Sequence, residues 1–218
     1  MKKITLFTAL FFLSGALLAQ DCSKFIYMQK GRVVEETTYS DGKAVKKSDA
    51  TVLAVANING METSTVIMGP PDAKPKDKIT VTFRCNGGIL LMDLSFGGGS
   101  SDNMKMNYVE YLPSMKVGDH LKDVSNPFSM AMEGKTYKGT QKISDRLVLA
   151  KESITTAAGT FSCFKISYKM TTSFITPIEG TIPPPKVDAF TEWYSPNDGL
   201  IVKQLLEDGV TSEVTGIK

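Results

Sequence analysis

Apolar and polar residues alternate along most of this chain with a period of two, and turn formers interrupt the alternation at short intervals. A period of two sends successive side chains to opposite faces of a strand, so a chain patterned this way buries one face of a sheet. Arg32–Ser40 and Ala44–Ser48 flank Asp41-Gly42, and Ala50–Ile58 and Met61–Met68 flank Asn59-Gly60. Both pairs tolerate the positive φ of a tight hairpin turn. In Ile79–Cys85 the residues Ile79, Val81, Phe83 and Cys85 share one face, and in Ile89–Phe96 the residues Leu90, Met92, Leu94 and Phe96 do the same after the Asn86-Gly87-Gly88 turn. Lys142–Ile154, Phe161–Phe174, Ala189–Trp193, Gly199–Leu206 and Val210–Ile217 read as further strands.

Sustained helical spacing with a capped start is missing after the first twenty residues, and Pro70-Pro71 and Pro183-Pro184-Pro185 mark loops, because proline lacks the N–H that a central strand needs. The expected class is therefore all-β and mainly antiparallel, with few helices.

The N-terminus has a different composition. Lys2 and Lys3 precede an uncharged apolar run from Ile4 to Ala19, followed by polar Gln20 and Asp21. This is the pattern of a secretory signal peptide, and about 16 apolar residues fall short of the about 20 that a spanning helix needs. Residues 1–19 are read as a signal peptide and 20–218 as one β-rich domain, exported to the periplasm or secreted. Asp21 stands directly before Cys22, where a lipidated cysteine requires a small residue. Loss of residues 1–19 removes two lysines and no acid, so of 25 basic side chains 23 remain against 23 acidic ones. Such a balance disfavours nucleic-acid binding, and no second apolar run is long enough to span a bilayer.

Few residues offer chemistry. His120 is the single histidine, which removes most metal sites and catalytic triads. Gly134-Lys135-Thr136 resembles the end of a phosphate loop, but Ser129 stands where its first glycine belongs. No catalytic residue, cofactor or metal ligand is assigned, and the chain is read as a non-enzyme. Methionine is the unusual usage, with the spaced pairs Met104-x-Met106 and Met130-x-Met132. Thioethers are flexible and polarizable, so Met92, Met104, Met106, Met130 and Met132, with Trp193 as a stacking surface, are the candidate contacts for an apolar ligand.

Cys22, Cys85 and Cys163 allow one disulfide in an oxidising compartment. Spacing does not rank the three pairings, and an unbridged trio of small buried residues is the alternative. Placement favours Cys22–Cys85: Cys85 ends a strand on its core-facing side, and Cys22 lies at a chain start that frays unless tied down. Cys163 shares its strand face with Lys165, Ser167 and Lys169, which makes it the free thiol.

Several blocks together resemble the TapB-like family of exported bacterial proteins of unknown function, related to a wider domain-of-unknown-function family. They are Cys22 with Lys30-Gly31, the run from Val81 to Gly88 ahead of Met92-Asp93, Leu112-Pro113 with Val117-Gly118-Asp119, Glu152 to Ile166, Glu192 to Pro196, and Gly199 to Lys203. The resemblance implies a periplasmic β protein whose curved sheet forms a half-barrel or open barrel like those of LolA and LolB, and it implies no catalytic residues. The functional expectation is a non-catalytic exported protein that binds a lipid, another hydrophobic small molecule or an envelope protein in its concave face. A structural or interaction protein with a filled core is the second reading and an enzyme of undetermined class the third.

The N-terminal pattern makes a direct prediction. Protein recovered from the periplasm or medium should begin at Gln20, or within a residue or two of it, on N-terminal sequencing; full-length chain lodged in the inner membrane would refute the signal-peptide reading.

Overall fold

A computed structural model describes residues 22–74, 77–93, 107–132, 135–176, 178, 180–206 and 208–218. The expected signal peptide, Met104 and Met106 lie outside them. The described residues form twelve strands: β1 (Val33–Ser40), β2 (Lys43–Ile58), β3 (Met61–Gly69), β4 (Ile79–Asn86), β5 (Ile89–Asp93), β6 (Tyr108–Tyr111), β7 (Val124–Met132), β8 (Lys135–Thr156), β9 (Gly159–Phe174), β10 (Lys186–Ser195), β11 (Leu200–Leu206) and β12 (Thr211–Ile217). All lie in one antiparallel sheet of order β6-β5-β4-β3-β2-β1-β12-β11-β10-β9-β8-β7. The chain thus meanders outward from the β1–β12 pairing in both directions. Its middle strands, β6 and β7, become the two edges.

The hairpin turns are where the sequence places them. Asp41 and Gly42 have φ of 50° and 71°, and Asn59 and Gly60 have φ of 52° and 81°, the twist that suits two-residue hairpins. The boundaries differ in several places, and β8 and β10 begin earlier than the sequence suggests, at Lys135 and Lys186. The two strands read on either side of Asp49 are one, because Asp49 continues the ladder opposite Glu35. Strands β6 and β7 carry too little alternation to be seen in the sequence. Pro127 sits inside β7, which an edge strand tolerates on its unpaired side.

The sheet curls into a nearly closed barrel. Its two edges meet through side chains rather than through a ladder. The Asn107 backbone N–H donates to Asn126 Oδ1 at 2.9 Å, Asn126 Nδ2 donates back to the Asn107 carbonyl at 2.6 Å, and Asn107 Nδ2 donates to the Ser125 carbonyl at 3.0 Å. Asn126 is buried at this seam. Barrel diameter grows with strand number, and about eight strands already make an interior that side chains just fill. A twelve-stranded curl needs more filling than its own inward side chains supply.

The segment before β1 supplies part of it. Two single 3-10 turns, Cys22–Lys24 and Ile26–Met28, carry Phe25, Ile26, Tyr27 and Met28 into the core, where all four are buried. Tyr27 stacks on Phe83 of β4 with centroids 4.2 Å apart. The Ile26 N–H donates to the Asp198 carbonyl at 2.9 Å. Phe25 packs so closely on Gly199 that a Cβ there would lie 2.4 Å from its ring. The plug is tied covalently, since Cys22 and Cys85 are joined with Cα atoms 5.9 Å apart. Cys163 is free and fully buried, and burial pushes its thiol up to about 12.

Reduction should therefore loosen the plug without exposing the remaining thiol. The bridge spans 63 residues, for which the chain-entropy estimate is about 4 kcal/mol. Urea unfolding with and without reductant should show a loss of that order. Iodoacetamide at pH 8 should leave Cys163 unmodified in the native oxidised protein and label it after denaturation; rapid labelling of the native protein would contradict the buried, protonated thiol.

Candidate functional site

The inward face of the curl encloses two adjoining cavities. The first, of about 160 Å³, reaches from Tyr27 and Phe83 at the plug to Met68, Leu90 and Met92, with Ile201 and Val214 opposite. The second, of about 310 Å³, lies between β5 and β6 on one side and β8 to β11 on the other. Both have Met92, Tyr111 and Gln204 on their walls. Because these walls come from strands that are far apart in the sheet, the space is the barrel interior rather than a surface groove.

The second cavity combines an apolar wall of Met92, Val109, Ile143, Met170 and Phe190 with Arg146, Glu192, Gln141 and Gln204. Arg146 and Glu192 are each 1 % exposed. A regular β8 would not aim Arg146 inward. Tyr137 and Ile143 are buried at odd positions of β8, whereas Arg146 and Val148 are buried at even ones. The face changes at a bulge, where Ser144 and Leu147 pair with Lys169 and Ser167, placing one extra residue on β8. Asp145 within it has φ of 57°. A bulge of this kind re-aims the side chain that follows it.

The re-aimed guanidinium reaches the seam. Its Nη1 donates to the carbonyls of Glu110 at 3.2 Å and Lys122 at 3.4 Å, and Nη2 donates to Glu110 at 3.2 Å. It also lies 5.2 Å from the centroid of the Tyr111 ring. Tyr111 in turn stacks on Tyr194 of β10, with centroids 4.4 Å apart, a contact that crosses the interior. Tyr168 stacks on Phe190 at 5.2 Å and accepts a hydrogen bond from Gln204 Nε2 at 3.4 Å.

Burial pushes the Glu192 carboxyl up, against the opposing pull of the Arg146 charge and of hydrogen bonds with Tyr111, Gln204 and Tyr168. Burial likewise raises the Tyr111 and Tyr168 hydroxyls well above the usual tyrosine value. Among the described residues, Arg146 Nε and Glu192 Oε1 have no hydrogen-bond partner. The two side chains form no direct ion pair there.

Of the ligand contacts read from the sequence, Met92 is on the cavity wall. Met130 and Met132 contribute backbone to β7, opposite Tyr137 and Lys135. Trp193 lies on neither wall. Alternation turns it away from Glu192, its indole N–H donates to Glu152 Oε1 at 2.5 Å, and the Lys165 ammonium lies 5.2 Å from its ring. The sequence reading missed Arg146, Glu192, Tyr111 and Gln204. Glu192 had a signal: Phe190 and Tyr194 flank it at the same-face positions. His120 is exposed and bridges to Leu147. Among the described residues no group of three His, Cys, Asp or Glu side chains is placed to hold a metal, and no helix is long and apolar enough to cross a membrane.

Arg146 carries two loads, the seam and the charge balance of Glu192. Hydrogen bonds made by a charged group contribute about 1.5–3 kcal/mol each, and Arg146→Met, which removes those to the Glu110 and Lys122 carbonyls, should destabilise by at least that order in urea. A carboxyl whose folded pKa is raised binds its proton more tightly when folded, so stability falls as pH rises from the unfolded toward the folded value. Arg146→Met should therefore recover stability on acidification relative to wild type, and Arg146→Met with Glu192→Gln should lose less than Arg146→Met alone. A pH-independent loss would show that only the seam contacts matter.

Comparison with known proteins gives the chain a family. No curated protein matches it. Among solved structures, a presumed exported protein with a YmcC-like fold from Bacteroides fragilis shares 19% identity at a TM-score of 0.64, over 89% of this chain and 98% of the other. A presumed lipoprotein from Parabacteroides distasonis shares 20% identity at a TM-score of 0.62, over 91% of this chain and 100% of the other. These likenesses show a common fold. The model of the DUF3108-like family matches residues 29–206, and the chain belongs to that family.

Proposed function

We propose that the protein is a non-catalytic carrier of the bacterial envelope that takes a hydrophobic molecule into its barrel interior. The observation that carries this reading is the unfilled space behind Met92, Tyr111 and Gln204, where a cavity of about 310 Å³ has mainly apolar walls and a few converging polar groups. Small-molecule sites have this composition and begin at about that size. A purely structural barrel would pack its interior at the density of other protein cores, which leaves few voids larger than a water molecule. The N-terminal charge and apolar pattern, together with a disulfide suited to an oxidising compartment, supports export. The blocks Glu152–Ile166 and Glu192–Pro196 that resemble TapB-like proteins support the same location.

N-Phenyl-1-naphthylamine, whose fluorescence rises in apolar surroundings, tests the carrier reading. One equivalent should bind the folded protein. Met92→Trp, which places a larger ring on the wall common to both cavities, should weaken binding about tenfold, a loss of about 1.4 kcal/mol, without altering the far-UV spectrum. Ester and glycoside substrates should show no turnover. Absence of probe binding, together with no stoichiometric molecule in a solvent extract of natively purified protein, would remove the carrier reading in favour of a scaffold.

A further inference from the structure

The interior of a carrier for purely apolar molecules needs no charge, and burying one is expensive. This interior holds two, on side chains each 1 % exposed, and each keeps one polar atom unpartnered among the described residues: a donor, Arg146 Nε, and an acceptor, Glu192 Oε1. Both side chains line the same cavity. Three other donor atoms of the cluster are engaged. Arg146 Nη1 and Nη2 are held by the Glu110 and Lys122 carbonyls, and Gln204 bonds to Tyr168. The arginine is therefore anchored by the seam and is not free to turn its full fork to a ligand.

We propose that the cavity selects molecules whose apolar body ends in a neutral group that both accepts and donates a hydrogen bond, a hydroxyl or a primary amide, engaging Arg146 Nε and Glu192 Oε1. The inference rests on the carrier reading and names the head group it takes. A head group of this kind satisfies both open atoms and adds no charge to a site where the arginine and the glutamate balance each other. An ether accepts from Nε but leaves Oε1 unpaired. A carboxylate also accepts from Nε, but sets a second anion against Glu192.

Displacement of bound N-phenyl-1-naphthylamine by 1-decanol, decyl methyl ether and decanoate at pH 7.5 tests it. Hydrogen bonds to charged groups are worth enough for about a tenfold preference, so decanol should displace the probe at about a tenth of the concentration needed for the other two. Glu192→Gln removes the anion and should erase the disadvantage of decanoate against decanol. Equal displacement by decanol and the ether, or preference of the wild-type barrel for decanoate, overturns the head-group inference while leaving the carrier reading standing. Failure of the probe itself to bind removes the carrier reading, and this inference falls with it. The three-compound comparison on wild-type protein decides the matter even if Glu192→Gln does not fold.

Discussion

The guanidinium of Arg146 holds together the two parts of this molecule that a linear ladder of strands leaves apart. A twelve-stranded meander has two free edges, and exposed edges invite pairing with other chains. Here the edge strands β6 and β7 are drawn to one another by Asn107, Asn126 and the Arg146 contacts to the Glu110 and Lys122 carbonyls. The sheet therefore curls around a volume instead of remaining open. Everything described in the interior depends on that curl, because the cavity walls come from opposite halves of the sheet.

The interior is divided between filling and space. At the plug, Phe25, Tyr27 and Phe83 fill it with rings, and the Cys22–Cys85 bridge fixes the plug to β4. Beyond the Tyr111–Tyr194 stack the walls carry methionine and aromatic side chains around buried charge. This division follows from size. A barrel wide enough to need twelve strands is wider than its own inward side chains can fill, and one short N-terminal segment fills only one end. The two solved neighbours share the fold, while the charges inside are features read from this chain's own residues.

Legibility in the sequence followed the periodicity. Strands β1, β3, β4, β9 and β11 and the two Asp-Gly and Asn-Gly hairpins were readable because local pattern and turn chemistry agree there. The Cys22–Cys85 pairing was argued from the core-facing side of Cys85 and the need to tie a terminus, both local arguments. Strand β7 was not readable, since Pro127 and a polar run hide an edge strand whose partner is β8 alone. Trp193 was assigned by residue type to a ligand surface, whereas alternation turns it to the face opposite Glu192, where it is buried away from both cavities.

What the sequence determined by itself is the antiparallel all-β class and those strands and hairpins whose alternation and turn residues agree, because each depends on neighbours within a few residues. The tertiary structure alone decided the site. One extra residue at Asp145 shifts the β8 register and reverses which side chains face inward, so Arg146 is buried where strict alternation would leave it outside. Glu192, 46 positions away in the chain, then shares its face across the single intervening strand β9, and the contact of Arg146 with the Glu110 carbonyl requires the sheet to close. A bulge is worth one residue in a ladder and is invisible to a period-two pattern, yet it places the charge around which the interior is organised.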